Sequence, residues 1–170
     1  EYGLSLEGMR DKLTLFSGVP GRLERVPHKK GAHVFVDYAH TEDALRNVLK
    51  AVTEFKKKKI ITVFGCGGDR DRGKRPLMAK AAEDYSDEVI VTSDNPRSEN
   101  PEAICKEIIQ GFTGKTPYLV EVERRKAIHA AISRANPGDI VLIAGKGHET
   151  KQLIGGRTLD FDDRKVAMEI

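Results

Sequence analysis

The chain is expected to form an α/β fold, a mainly parallel sheet with helices on both faces. Three observations predict it. Short apolar, β-branched runs at residues 60–64, 89–91 and 140–143 alternate with stretches of helical periodicity. The run Ile140-Val141-Leu142-Ile143 is continuously apolar, as in a strand buried on both sides. Four of the expected strands run into polar loops, which begin at Asp37, Gly65, Ser93 and Gly145.

Taken in order, Leu6, Met9, Leu13 and Phe16 share one helical face, with Ser5 placed to cap it. Ser17 to Gly21 is a turn containing Pro20-Gly21. Leu23 to Val26 reads as a short strand, Lys29-Lys30-Gly31 as a turn, and Val34 to Val36 as a strand ending at Asp37. A helix begins at Thr41, with Glu42 and Asp43 at its positive end and Leu45, Val48, Leu49, Val52 and Phe55 as its apolar stripe. Lys56 to Lys59 close it as a solvated end; no aromatic residue interleaves them to stack a base.

The central strand, 60–64, delivers the loop Gly65 to Arg75, which packs six charges into eleven residues. A helix is expected from Pro76, with Leu77, Ala81, Ala82 and Tyr85 facing inward. Strand 89–91 leads to Thr92-Ser93-Asp94-Asn95-Pro96-Arg97. Asn100-Pro101 starts the next helix, whose face is Ile104, Ile108, Ile109 and Phe112, with Gly114 beyond its end. Tyr118 to Val122 reads as a strand. Glu123 to Ala135 reads as a helix with Ala127, Ile128, Ala131 and Ile132 buried, and Pro137-Gly138 turns the chain into strand 140–143. Gly155-Gly156 suits a hairpin turn, and 162–170 a terminal helix. The sum is one domain over residues 1–170, a Rossmann-like three-layer sandwich.

Composition narrows the function. With 170 residues, 39% hydrophobic and 32% charged, the chain can build a sizeable core and is not of disordered type. A net charge of +3, from 29 basic and 26 acidic residues, is too balanced to argue for nucleic acid or a membrane surface. No apolar run approaches the roughly 20 residues needed to span a bilayer. Cys66 and Cys105 form no disulfide or metal framework, which fits reduced thiols and a cytoplasmic protein. The first residue is Glu, so the chain is read as part of a longer protein.

In parallel sheets ligands bind beyond the carboxyl ends of the strands. The topology therefore brings the four polar loops to one edge. Arg97 can hold a carboxylate through two hydrogen bonds and Asp94 can accept from an ammonium, while Pro96 restrains itself and Asn95. That makes a reader of a zwitterion; the same composition also fits an Asn-Pro turn capped by surface charges. Arg70 offers a second carboxylate clamp, or else joins Arg72, Lys74 and Arg75 in neutralising Asp69 and Asp71. Glu149 can receive an ammonium beside a close backbone contact at Gly145, or Gly145 to Glu149 is a tight turn with solvated Lys146, His148 and Glu149. Asp37 can accept ribose hydroxyls and His40 can meet phosphate or a base, although a lone histidine also serves structure. Cys66 reads as a small residue after a strand, or as a thiol whose pKa the glycine loop lowers.

Several chemistries are missing from the pattern. Gly-x-Gly-x-x-Gly fails because its third glycine position holds Arg70, and no Walker spacing occurs. His28, His33, His129 and His148 have no metal-ligand spacing, and no Ser-His-Asp arrangement is visible.

Five segments in this order resemble the Mur ligases: Pro20-Gly21-Arg22, Asp37-Tyr38-Ala39-His40-Thr41, Gly65-Cys66-Gly67-Gly68-Asp69-Arg70-Asp71, Asp94-Asn95-Pro96-Arg97 and Gly145-Lys146-Gly147-His148-Glu149. The resemblance covers nearly the whole chain. It implies the carboxyl-terminal domain of a three-domain, ATP-dependent amide ligase of peptidoglycan precursor synthesis. The Asp-Asn-Pro-Arg form implies the branch that adds meso-diaminopimelate to UDP-N-acetylmuramoyl-L-alanyl-D-glutamate, with Mg²⁺ held mainly by the central domain. Carried over by motif, the implied amino-acid contacts are Arg70, Asp94, Asn95, Pro96, Arg97, Gly145 and Glu149. Arg22, Asp37 and His40 are the implied edge that closes over ATP. No catalytic residue or metal ligand is assigned to this domain, and the isolated chain is expected to be inactive. Glu42 departs from the family, which often has proline there. The competing readings are a stand-alone Rossmann-like nucleotide or NAD module, disfavoured by the absent fingerprint, and a basic nucleic-acid module, supported only by Lys56 to Lys59 and the mildly basic charge.

Overall fold

The computed structural model describes residues 18–28 and 31–170. The helix expected over 5–16, and Lys29 and Lys30 of the following turn, lie outside the described residues. Among the described residues six strands form one sheet: β1 (Glu24–Val26), β2 (His33–Asp37), β3 (Ile60–Phe64), β4 (Glu88–Val91), β5 (Tyr118–Val120) and β6 (Ile140–Ala144). Their spatial order is β1-β2-β6-β3-β4-β5. Only β1 runs antiparallel, against β2; every other neighbouring pair is parallel. This is the Rossmann-like α/β architecture that the alternating pattern predicts.

The order places the site. From β3 the chain builds outward through β4 to β5, then returns so that β6 slots between β2 and β3, with Ile60 opposite Ile140 and Val63 opposite Ile143. Such a reversal opens a crevice at the carboxyl ends of the central strands.

Alternation along β3 and β6 explains their continuous apolar runs. Ile60, Phe64, Ile140 and Leu142 pack under the helices α1 (Glu42–Glu54), α2 (Lys74–Tyr85) and α3 (Pro101–Ile109). Ile61, Val63, Val141 and Ile143 pack under α4 (Arg124–Arg134) and α5 (Asp163–Met168) on the other face. Successive strand residues point to opposite faces, so a strand covered on both must be apolar throughout.

Local chemistry sets most boundaries. The Thr41 hydroxyl accepts the Ala44 N–H and caps α1, and the Asn100 side chain accepts the Ala103 N–H and caps α3. Gly155 and Gly156, both at positive φ, turn β7 (Lys151–Ile154) into β8 (Arg157–Asp160), a two-residue hairpin as expected. Lys56 to Lys59 are exposed as expected, but they follow the helix rather than close it, since α1 ends at Glu54 with Phe55 as its C-cap.

Helix α2 departs from the sequence reading. It starts at Lys74, so Pro76 is its third residue rather than its first, still within the turn whose N–H groups lack helical partners. Leu77 points outward, 52% exposed. The inward face instead buries Arg75, Met78 and Glu83. Glu83 accepts N–H groups of Thr113, Gly114 and Lys115. A helix that buries charges with partners on other elements does not show its inner face as apolar periodicity. Phe55 is similarly exposed, touching Phe35 edge-on at the end of α1. Strand β5 is two residues shorter than read, α5 falls short of the expected 162–170, and α4 is trimmed by a residue at each end. Among the described residues no helix is long and apolar enough to cross a membrane.

Candidate functional site

A cavity of about 240 Å³ opens at the carboxyl edge of the sheet, and all four polar loops line it. The loop after β2 contributes Tyr38, His40 and Thr41; that after β3, Gly67, Arg70 and Lys74; that after β4, Asp94, Asn95 and Arg97; that after β6, Gly145 and Glu149. Residues far apart in the chain meet because parallel strands end at the same edge.

Asp94 is the most unusual group in it. The residue is buried, yet its Oδ2 has no hydrogen-bond partner among the described residues. Burial pushes its carboxyl above the usual carboxylate range, against the opposing charges of Arg124 and Lys146. Its main chain is held by Gln152, whose Nε2 donates to the Asp94 carbonyl at 2.7 Å. Gly145, at φ +119, lies against this carboxylate; a Cβ there would come within 2.5 Å of Oδ2.

The opposite carboxylate, Glu149, has the reverse character. Burial pushes it up, but hydrogen bonds from Asn95 and Lys146 outweigh that and hold it below the usual range. Asn95 Nδ2 donates to Glu149 Oε2 at 2.9 Å, and Lys146 Nζ donates to the same oxygen at 3.1 Å. The Asn95 Oδ1 accepts from Lys146 Nζ at 3.1 Å and from the Leu153 N–H at 3.0 Å. Asn95 is therefore a brace that orients Glu149 and ties the loop to the hairpin.

Arg97 is fixed by its own backbone. It sits at φ +53, its N–H donates to the Leu153 carbonyl at 2.9 Å, and its carbonyl accepts the Gly155 N–H at 2.7 Å. Its Nη1 donates to the Gly68 carbonyl at 2.8 Å. Pro96 is buried beside Gly68 rather than lining the cavity. The charges of the glycine loop are not neutralised within the loop, as one reading had it. Arg75 pairs with Glu99 and Glu107, Arg72 with Glu107, and Lys74 donates to the His40 carbonyl. Asp71 accepts the Gly73 N–H, and Asp69 accepts from Ser98. Arg70 alone among the loop's cations has neither a hydrogen-bond nor an ion-pair partner among the described residues, and it lines the cavity.

A family model described as Mur ligase, glutamate ligase domain, matches residues 21–147. The chain belongs to the Mur ligases. A UDP-N-acetylmuramoyl-L-alanyl-D-glutamate–2,6-diaminopimelate ligase from Clostridioides difficile is 56% identical over 161 residues, 94% of this chain and 33% of the relative. A second ligase of that name, from Prochlorococcus marinus, is 48% identical over 171 residues, 100% of this chain and 34% of the relative. A solved structure of a ligase of that name superposes with a TM-score of 0.82 at 44% identity, over 98% of this chain and 35% of that one. The chain thus spans about a third of the length of the relatives it matches.

In this Mur ligase domain a second cluster borders the cavity. The Arg22 guanidinium lies 4.7 Å from the centre of the Tyr38 ring, which meets His40 edge-on at 4.7 Å and His148 at 5.3 Å. Arg22 and His40 are exposed. Asp37 is buried and outside the cavity lining, and its oxygens accept the Leu23 and Ala39 N–H groups at 2.7 Å each. Leu23 is at φ +43, a costly conformation that the Asp37 bond helps hold. Asp37 therefore acts on this edge by shaping the turn that carries Arg22.

That turn also packs together two glycine motifs of the Mur ligase pattern that lie far apart in sequence. Gly21, at φ +70, packs against the backbone of Gly147 and His148, and a Cβ on it would lie 2.1 Å from the His148 nitrogen. Gly21→Ala is expected to destabilise the domain by about 1–3 kcal/mol. Urea unfolding checks it; a change within error would mean that the turn relaxes without cost.

Two residues escape the sequence reading of the site. Lys146 is fully buried, not solvated. Arg124 is fully buried, forks onto Asp163 at 2.8 and 2.7 Å, and donates to the Ser93 and Ala144 carbonyls. An arginine opening a helix of small apolar residues, with an acid in the terminal segment, was the available signal. Cys66 departs the other way. Burial pushes its thiol up to about 12, and its Sγ–H points at Met78 Sδ, so it is an inert core group.

Proposed function

We propose that the full protein is an ATP-dependent amide ligase joining meso-diaminopimelate to the D-glutamyl carboxylate of UDP-N-acetylmuramoyl-L-alanyl-D-glutamate in the cytoplasm, and that this chain is the carboxyl-terminal of its three domains. The observation that carries the reading is that the Asp94 Oδ2 and the Arg70 guanidinium, both without a partner among the described residues, line one cavity, together with a second acid and cation, Glu149 and Arg97, that other residues already hold in place. An amino acid with two ammonium and two carboxylate groups complements that set. The names of the relatives support the same substrate.

ATP, with Mg²⁺ held mainly by the central domain, supplies activation of the glutamyl carboxylate. Arg22 and His40, exposed on the Tyr38 cluster, suit an anionic nucleotide edge, with Asp37 holding that edge in place. The domain's own residues bind and orient the amine: Asp94 and Glu149 accept from ammonium groups, and Arg70 and Arg97 fix the carboxylates. Its contribution is proximity and orientation. The chain alone is expected to release no phosphate from ATP with both substrates.

Titration of the isotope-labelled chain with meso-diaminopimelate, and separately with L-lysine, tests the site. Amide shifts are expected at Arg70, Asp94 to Arg97 and Gly145 to Glu149 with diaminopimelate only, and are expected to vanish in Arg97→Ala. Equal shifts with lysine would refute the selectivity. No response to either compound, here or in the full-length protein, would refute the site.

A further inference from the structure

The loop that carries Arg70 and the loop that carries Arg97 are laced together by reciprocal bonds. The Gly68 N–H donates to the Asn95 carbonyl at 2.9 Å, and Arg97 Nη1 returns to the Gly68 carbonyl at 2.8 Å. The Asp69 N–H donates to Glu99 Oε1 at 2.6 Å, while Asp69 accepts from the Ser98 hydroxyl at 2.6 Å and its N–H at 3.2 Å. Glu99 is itself gripped by Arg75, fully buried beneath the loop, through bonds of 2.9 and 2.8 Å. Asp69 and Arg97 are both at positive φ, +55 and +53, although neither is glycine. Such backbone persists where the surroundings over-determine it. Arg70 directly follows Asp69, and Ser98 directly follows Arg97. The lacing therefore ties together the backbone positions from which the two arginines project.

We propose that Asp69 and Glu99 are positioning residues that fix the spacing between Arg70 and Arg97, and thereby select an amino acid with two carboxylates over one with a single carboxylate. The inference rests on the reading of the cavity given above. Neither residue lines that cavity, so both act through the arginines. The bonds are reciprocal and pass between adjacent main-chain segments, so loss of one lets both loops shift against each other.

The test is steady-state kinetics of the full-length ligase carrying Asp69→Asn or Glu99→Gln. Asp69 is exposed, so its variant keeps the fold even if Glu99→Gln does not. Each variant is expected to raise KM for meso-diaminopimelate about tenfold, with kcat and KM for ATP within about twofold of wild type. The preference for diaminopimelate over L-lysine should fall in parallel. On an Arg97→Ala background, Asp69→Asn should change KM by less than about twofold, because its effect passes through Arg97. All substrates' KM values moving together, or the same loss on both backgrounds, would mean a purely structural role and overturn the proposal. An unchanged KM in Asp69→Asn beside a raised KM in Arg97→Ala would overturn it alone. An unchanged KM in Arg97→Ala would overturn the underlying reading and this inference with it.

Discussion

Replacing Asp94 with asparagine is expected to weaken meso-diaminopimelate binding while making the folded chain more stable at neutral pH. A hydrogen bond to a charged group contributes about 1.5–3 kcal/mol, so affinity should fall by about 10- to 150-fold. The stability gain follows from burial. The carboxyl's pKa is raised in the folded state, chiefly by desolvation. The folded state then holds its proton more tightly than the unfolded chain, so this group's contribution to stability falls as pH rises from the unfolded value through the folded one. Above that window the full penalty remains, and asparagine removes it. Thermal melts of the two proteins should converge at acid pH, below the ordinary aspartate value, and separate in favour of the variant as pH rises. A variant less stable at pH 7 would show that attraction to Arg124 and Lys146 outweighs desolvation. A tight ligand carrying an ammonium group should reverse the ordering, since it supplies the partner that Oδ2 lacks.

Asp163→Ala is expected to cost about 3–5 kcal/mol of folding stability, because it strands the Arg124 guanidinium in the core. Both side chains are fully buried, and the fork between them has no solvent to replace it. Arg124 also donates to the carbonyls of Ser93 and Ala144, the residues just before Asp94 and Gly145. The damage should therefore reach the cavity as well as the core. Urea unfolding measures the first and the diaminopimelate titration the second. Pairing the change with Arg124→Met separates the causes: removing both charges should recover part of the lost stability, since no buried charge is then left unpaired, while the smaller side chains leave some space unfilled. Failure to recover would mean that the carbonyl bonds of Arg124, not its charge pairing, hold this corner.

Asp94 is legible from its sequence context, an acid two residues from proline in a loop after a buried strand. Asp163 is not, because it stands at the start of a short helix where acids are common for reasons of helix polarity alone.

Much of the molecule was determined by sequence alone. Alternating β-branched runs and helical stripes suffice for a parallel sheet, because a strand covered on both faces must be apolar at every position. Parallel order in turn sends the loops after β2, β3, β4 and β6 to one edge, so Arg70, Asp94, Arg97 and Glu149 belong together on topology alone. The tertiary structure decided the fate of each charge. Sequence does not distinguish Arg70, left without a partner among the described residues, from Arg75, buried against Glu99 and Glu107 a few residues later. Nor does it distinguish exposed His148 from Lys146, buried against Asn95 and Glu149. Local periodicity records which faces are apolar. Whether a charge is buried depends on a partner supplied from another strand or helix, and only folding brings that partner within hydrogen-bonding distance.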